Sequence, residues 1–486
     1  MNAPKIGLIT FGDHRGPEWE RVFKGLTVPR HELAVKTLAS LPIKLISSET
    51  VARTREEINA QVDALKGAGV EMLVAHTPCW TSPNLVVHGV QRMGLYTVVL
   101  GNREMGTHGC VGLLGAAGAL AQCGVPHRRV RLDYDEAAYT RRLLPLMRAG
   151  AAVARLRGSV FGHFGGRSIG IDTATFDPMG WKKQFGVDTE HIDQVEIIRL
   201  AGMIAPERIA KMRSWIEQNA KEVRYDDSLF TKEKFDFQLA CYLATKDLRV
   251  QHGLDFTAVK CMPELSNHYV PQCMTATFLP SDYDGEEGWK DATVMACEAD
   301  ADGALTAQIL KLVSGGMPTF FADVSHIDDV EKTIYCVNCG AICAWYAGRS
   351  QVAEENLKRI TFKQSIRPGG AAISAFFAAE GPMQLARLYR VDGKYHMAII
   401  PARAVTPDQA AMDRFVAARG QHQLPALFAK VDIDVDILVE RFGSNHISGV
   451  AGNYVNELVE ACKLLGVKPE LFDAVADREG HHHVTE

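Results

Sequence analysis

A chain of 486 residues is longer than one hydrophobic core organises, so two or three domains are expected. Its composition, 47% hydrophobic, 23% charged and 8% aromatic, is that of an ordinary globular protein. A net charge of −5 with acids and bases interspersed excludes the basic footprint of a nucleic-acid or anionic-membrane binder, and small-molecule chemistry is the default.

The first residues, Met-Asn-Ala-Pro-Lys5, carry no basic and then long apolar leader, and no later run reaches the length of a membrane span. The expected location is the cytoplasm. The eleven cysteines, many inside apolar runs, read as buried thiols of a reducing compartment. Cys336, Cys339 and Cys343 have zinc-like spacing but lack a second pair to complete four ligands.

From residue 4 to about 156, strands alternate with helices. Strands are read at Ile6–Phe11, Glu71–Ala75, Leu95–Leu100 and Arg129–Leu132, with helices at Thr54–Lys66, at the small-residue run Gly112–Ala121 and, unbroken, at Asp135–Arg157. This alternation predicts a parallel, doubly wound sheet.

A second α/β unit opens at Ser159, where a strand meets the glycine-rich turn Gly162-x-x-Gly165-Gly166-x-x-x-Gly170. That spacing is neither the dinucleotide fingerprint nor a P-loop, so a tight turn is the reading. Helices at Ala205–Ala220 and Phe230–His252 lead to strands at Phe256–Lys260 and Ala292–Ala296.

Beyond residue 333 the pattern becomes strand-rich, at Lys358–Lys363, Ala386–Val391 and Tyr395–Ile400, with a turn at Asp392-Gly393 and a last helix over Ser448–Leu465. The expected fold class is α/β: two consecutive doubly wound domains, 1–157 and 158–312, then a mainly antiparallel barrel-like domain, 313–486, that completes a metal site. The terminal Gly480-His-His-His reads as a tail.

Glu298 and Asp323 each follow a short apolar run, where a sheet presents side chains to a ligand crevice. Two acids there are costly unless a cation holds them, and hard carboxylate oxygens suit Mg²⁺ or Mn²⁺. Read singly, each is equally consistent with a structural strand-end role. Asp300-x-Asp302-Gly303 resembles the opening of a calcium loop, but the twelfth position is Lys311. Asp302 is instead read as the cap of a helix starting at Gly303, and Asp300 as solvated. His446, before the last helix, is the candidate third ligand, against a capping role.

The motifs Val74-Ala-His76-Thr-Pro-Cys-Trp80-Thr-Ser-Pro-Asn84, the run from Gly112, Gly165-Gly-Arg167-Ser-Ile-Gly170, Phe185-Gly-Val-Asp188, Ala296-Cys-Glu298, Phe321-Ala-Asp323 and Asn445-His446 before Gly452-Asn-Tyr454 span most of the chain. In that order they resemble the L-fucose isomerase and L-arabinose isomerase superfamily, closer to its fucose isomerase-like members.

The resemblance implies an aldose–ketose isomerase that works on an open-chain sugar through an enediolate. Its metal ligands would be Glu298, Asp323 and His446, with Mn²⁺ as the ion and Mg²⁺ or Co²⁺ as substitutes. Glu298 and Asp323 would also be the catalytic acid/base pair, and Arg15, Trp80 and Asn445 the sugar contacts. It further implies a homo-oligomer, expected to be a hexamer. The C-terminal region is short for an L-fucose isomerase, so the loops that shape the sugar pocket are expected to differ. Arg15, His14, Lys260, Lys363 and Arg367 are candidate cations for a 6-sulfonated hexose; a deoxyhexose or pentose is equally open.

Two rival classes remain at this stage. A two-lobed sugar-binding protein would share the α/β pattern without needing an acid pair. A nicotinamide-dependent dehydrogenase would need the fingerprint this chain lacks.

Overall fold

The computed structural model describes residues 3–226, 228–419 and 425–473. The histidine tail at 481–483 lies outside the described residues. The chain divides into two compact units, one ending at Arg155 and one beginning at Leu156.

The first unit is built on a five-stranded parallel sheet in the order Lys44–Ser47, Lys5–Thr10, Met72–His76, Thr97–Gly101, His127–Arg131. Because side chains alternate across a strand, Leu73, Ala75 and Val99 enter one apolar cluster while Met72, Val74 and Val98 enter another. Both faces are thus covered by helices, which is why these strands read as continuous apolar runs. Helix Arg55–Gly67 is started by a capping box, in which Thr54 accepts from the Glu57 amide and Glu57 accepts from the Thr54 amide. The helix expected without a break over 135–157 is two helices, Glu136–Arg142 and Leu144–Leu156. Pro145 has no amide to offer the Arg141 carbonyl and its ring crowds that oxygen, so the first helix stops.

The second unit opens with a four-stranded parallel sheet ordered Val294–Cys297, Phe256–Val259, Val160–Phe164, Asp188–Ile192. The helices expected over 205–220 and 230–252 are Pro206–Asn219 and Lys232–Gln251.

Six antiparallel strands follow and close on themselves as a barrel. The order is Gly381–Val391, His446–Ala451, Thr319–Asp328, Thr333–Val337, Ala426–Val431 and Lys394–Val405, the last pairing back to the first. Lys468–Leu471 adds a parallel strand outside. Asp392 and Gly393, at φ 48° and 73°, make the two-residue left-handed turn that joins Val391 to Lys394, as the Asp-Gly pair predicts. The strand read at 358–363 is Thr361–Gln364, which belongs to a side sheet with Ala372–Ala375 and Glu222–Val223.

The last helix begins later than expected. Residues 446–451 form a barrel strand and the helix is Val455–Leu465. Ile447-Ser-Gly-Val450 bonds to strands on both sides, and Gly449 makes room for the Phe320 ring, which an added Cβ would meet at 2.2 Å. All eleven cysteines are free thiols. No helix among the described residues is long and apolar enough to cross a membrane.

Candidate metal centre

Three side chains from three segments of the second unit converge. Glu298 stands at the first position past strand Val294–Cys297. It and Ala299 both adopt left-handed backbone, φ 60° and 54°, a conformation that costs a non-glycine residue about 1 kcal/mol or more and is kept where surrounding structure enforces it. Asp323 lies within strand Thr319–Asp328 rather than at its end, and His446 opens the neighbouring strand. His446 Nε2 is 2.7 Å from Glu298 Oε2 and 3.3 Å from Asp323 Oδ1.

The imidazole is fully buried and the Glu298 side chain nearly so, whereas Asp323 is 40% exposed and opens the cluster to solvent. Burial disfavours a charged imidazole, but the bond to Asp300 and the nearness of Asp323 and Glu298 outweigh it and hold His446 well above the usual histidine range.

These residues fit a divalent ion. Their ligand atoms lie within 4.8 Å of one another, and Nε2 is buried without an aligned hydrogen-bond partner. Two carboxylates and one imidazole form a mixed oxygen and nitrogen set that suits Mn²⁺-like ions. A second acidic group, Asp284, Glu286 and Glu287, already encloses the Lys246 ammonium at 2.8, 2.6 and 2.8 Å.

The acids around Glu298 correct the sequence reading. Asp300, expected to be solvated, is wholly buried and is the true cap of helix Ala301–Val313, accepting from the Gly303 amide at 2.8 Å. Burial would raise its pKa, but Arg387 and His446 hold it down to about 2. Asp302 is not the cap. It sits buried in the first turn, accepts from Tyr395 Oη at 3.0 Å, and is pushed up to about 7 by burial against the opposing charges of Arg390 and Arg387. The missed partner, Arg387, carries a signal in the sequence: an arginine inside the apolar run Leu385-Ala-Arg387-Leu-Tyr needs an acid to meet it.

The other flagged residues lie elsewhere. Asn445 precedes His446, and its exposed side chain accepts from Thr173 Oγ1 at 3.3 Å. Arg15 and Trp80 belong to the first unit, in the loops that follow strands Lys5–Thr10 and Met72–His76. Those strands are adjacent at the point where the sheet order reverses, the usual ligand crevice of such sheets. The Arg15 guanidinium lies 6.0 Å from the Trp80 ring and 2.6 Å from Asp13, and Trp80 Nε1 has no hydrogen-bond partner. Of the cations flagged in the second unit, Lys260 is paired with Glu264 at 2.7 Å, while Arg367 Nε is buried without a partner. Cys336, Cys339 and Cys343 join no group of metal-ligand geometry among the described residues.

Residues 3–158 match the family model of the first N-terminal domain of L-fucose isomerase, and residues 336–471 that of its C-terminal domain. The chain is 22% identical over 460 residues to the sulfoquinovose isomerase of Clostridium sp. (strain MSTE9), an alignment covering 91% of this chain and 94% of that protein. It is 22% identical over 311 residues to the sulfoquinovose isomerase of Priestia aryabhattai, covering 61% and 65% of the two chains. To the L-fucose isomerase of Phocaeicola vulgatus it is 28% identical over 204 residues, covering 39% and 33%.

Proposed function

The chain belongs to the L-fucose isomerase family and is a sugar isomerase, and on that premise we propose that Glu298, Asp323 and His446 hold a divalent ion, Mn²⁺ first among candidates, while the two carboxylates move the proton of an aldose–ketose interconversion. The observation that carries this reading is the approach of Glu298 Oε2 and Asp323 Oδ1 to the single nitrogen His446 Nε2. A bound divalent ion supplies Lewis acidity toward the carbonyl and neighbouring hydroxyl oxygens of an open-chain sugar.

The residues do the rest. His446 is fixed by burial and has no freedom to swing away. Asp323, the most open of the three, is the group a sugar reaches first, and its carboxylate is placed to take or return the proton that passes between C1 and C2. Glu298 is the partner acid, and its side chain is nearly buried. Arg15, Trp80 and Asn445 remain proposed sugar contacts. A non-catalytic sugar binder has no use for this triad.

The substrate we favour is a hexose with a 6-sulfonate, because the relative aligned over 94% of its own length is a sulfoquinovose isomerase. A homo-oligomer and a cytoplasmic location complete the proposal. The experiment is a panel: Mn²⁺-loaded protein with sulfoquinovose, L-fucose and neutral pentoses, followed by ketose detection. Conversion of the sulfonated sugar well ahead of the neutral ones is expected. If no sugar is converted, or if Glu298→Gln converts as fast as wild type, the proposal falls.

A further inference from the structure

One side chain outside the three ligands touches the far edge of His446. Asp300 Oδ2 lies 2.7 Å from His446 Nδ1, on the ring edge opposite the nitrogen that faces Glu298 and Asp323. Arg387 Nη1 holds the same oxygen at 2.5 Å, and its other amino group donates to the Thr173 carbonyl at 2.8 Å. The second oxygen, Oδ1, accepts the Gly303 amide at the start of helix Ala301–Val313. Asp300, Arg387 and His446 are all fully buried, and the Phe321 ring packs on the imidazole with centroids 4.7 Å apart.

We infer that Asp300, held by Arg387, is a positioning residue for the metal centre that fixes the tautomer and ring angle of His446. An ionised carboxylate only accepts, so the proton on Nδ1 stays there and Nε2 is left to offer its lone pair. The negative charge behind the ring makes that lone pair a stronger donor, an effect of the sort that changes metal affinity about 10- to 100-fold when removed. Arg387 supplies the counter-charge that lets Asp300 remain ionised out of water. Glu298 and Asp300, two residues apart on one bend, thus grip opposite edges of the same imidazole.

The inference rests on the metal reading above, and the test separates the two. Mn²⁺ affinity is measured by titration calorimetry for wild type, Asp300→Asn and Asp300→Ser, with thermal unfolding of the metal-free proteins alongside. Asn and Ser both cap helices as well as Asp does, so the helix start is preserved, but neither returns the charge, and Ser is too short to reach the ring.

The expected result, read on folded protein, is Mn²⁺ dissociation constants raised about 10- to 100-fold, more for Ser than for Asn, with the metal-free variants unfolding at lower temperature than wild type because Arg387 is left buried without its counter-charge. Affinities within about threefold of wild type for both variants overturn the inference and leave the metal reading standing. A wild type that binds no Mn²⁺ overturns both. Should neither variant fold, the Co²⁺-loaded wild type decides. A hyperfine-shifted proton that exchanges in D₂O, the Nδ1 hydrogen of His446, supports the inference and its absence overturns it.

Discussion

Asp323 and His446 are direct partners across two antiparallel strands of the barrel, with Nε2 of the histidine 3.3 Å from Oδ1 of the aspartate. Two of the three proposed ligands are therefore set by one strand register. A slip of one residue between these strands would turn one of the two side chains to the opposite face, so the barrel ladder that places them is as much a part of the site as the donors themselves. Glu298 comes from a different sheet, and its place depends on the left-handed bend after strand Val294–Cys297.

Neutral replacements should separate chemistry from folding. Glu298→Gln and Asp323→Asn keep shape and remove the charge proposed to carry the proton, and each is expected to lower kcat by about 10²- to 10⁴-fold. Unfolding of the Asp323 variant should barely change, since its side chain is 40% exposed. Steady-state isomerisation assays and circular dichroism melts on the same preparations check both halves.

Chelator dialysis is expected to abolish isomerisation, and added Mn²⁺ to restore it. Binding to the native state alone stabilises it by about 2.7 kcal/mol at a free-ion concentration one hundred times Kd. Since all three proposed ligands lie in the unit that begins at Leu156, calorimetry should show that unit's transition rising with Mn²⁺ while that of the unit ending at Arg155 stays in place.

Asp302 predicts a pH dependence with a definite sign. Unfolded, it titrates near 3.8; folded, near 7, so between those values the native state keeps a proton that the unfolded chain has released. Its contribution is full below pH 3.8 and is lost as pH rises through 7, about 4 kcal/mol in all. Asp302→Asn, which still accepts from Tyr395 and never ionises, should gain stability relative to wild type on going from pH 4 to pH 8. Denaturant titrations at four pH values would show a difference that grows with pH; a flat or falling difference contradicts the assignment.

Gly303 should tolerate no side chain. A Cβ there would meet Phe321 Cε2 at 2.5 Å, Arg387 Nη1 at 2.7 Å and Asp300 Cγ at 3.0 Å, and Gly303→Ala is expected to cost about 1–3 kcal/mol and to weaken Mn²⁺ binding. Gly393→Ala is the control, because nothing lies within 4 Å of the added carbon and only the positive φ of 73° is charged, about 1–2 kcal/mol. Urea unfolding of the two variants, with metal titration of each, distinguishes steric from backbone cost.

Much of this was legible beforehand because local rules and fold agree. Apolar runs separated by helices gave the parallel sheets, the helix read from Thr54 starts where Thr54 and Glu57 cap each other, and Asp392-Gly393 announced a turn. Glu298, Asp323 and His446 were visible as acids after strands and a histidine in a motif, but their meeting depends on barrel register, which no local window carries. The misreadings share a cause. Asp300 and Asp302 were assigned by helix-start preference alone, and the preference fits both; what decides between them is Arg387, eighty-seven residues further on, whose guanidinium reaches Asp300. Residues 448–451 read as the start of a helix because the helical pattern beyond them extends backward, whereas strand partners on both sides claim them.

The charged imidazole of His446 gives the cluster a counter-ion of its own. Held above the ordinary histidine range by three surrounding acids, it offsets part of their mutual repulsion. Loading a divalent ion on Nε2 is then an exchange in which a proton is expelled, so metal affinity should strengthen as pH rises and uptake should acidify an unbuffered solution. With one cation already seated among the carboxylates, part of the charge that a divalent ion would balance is balanced by the chain itself.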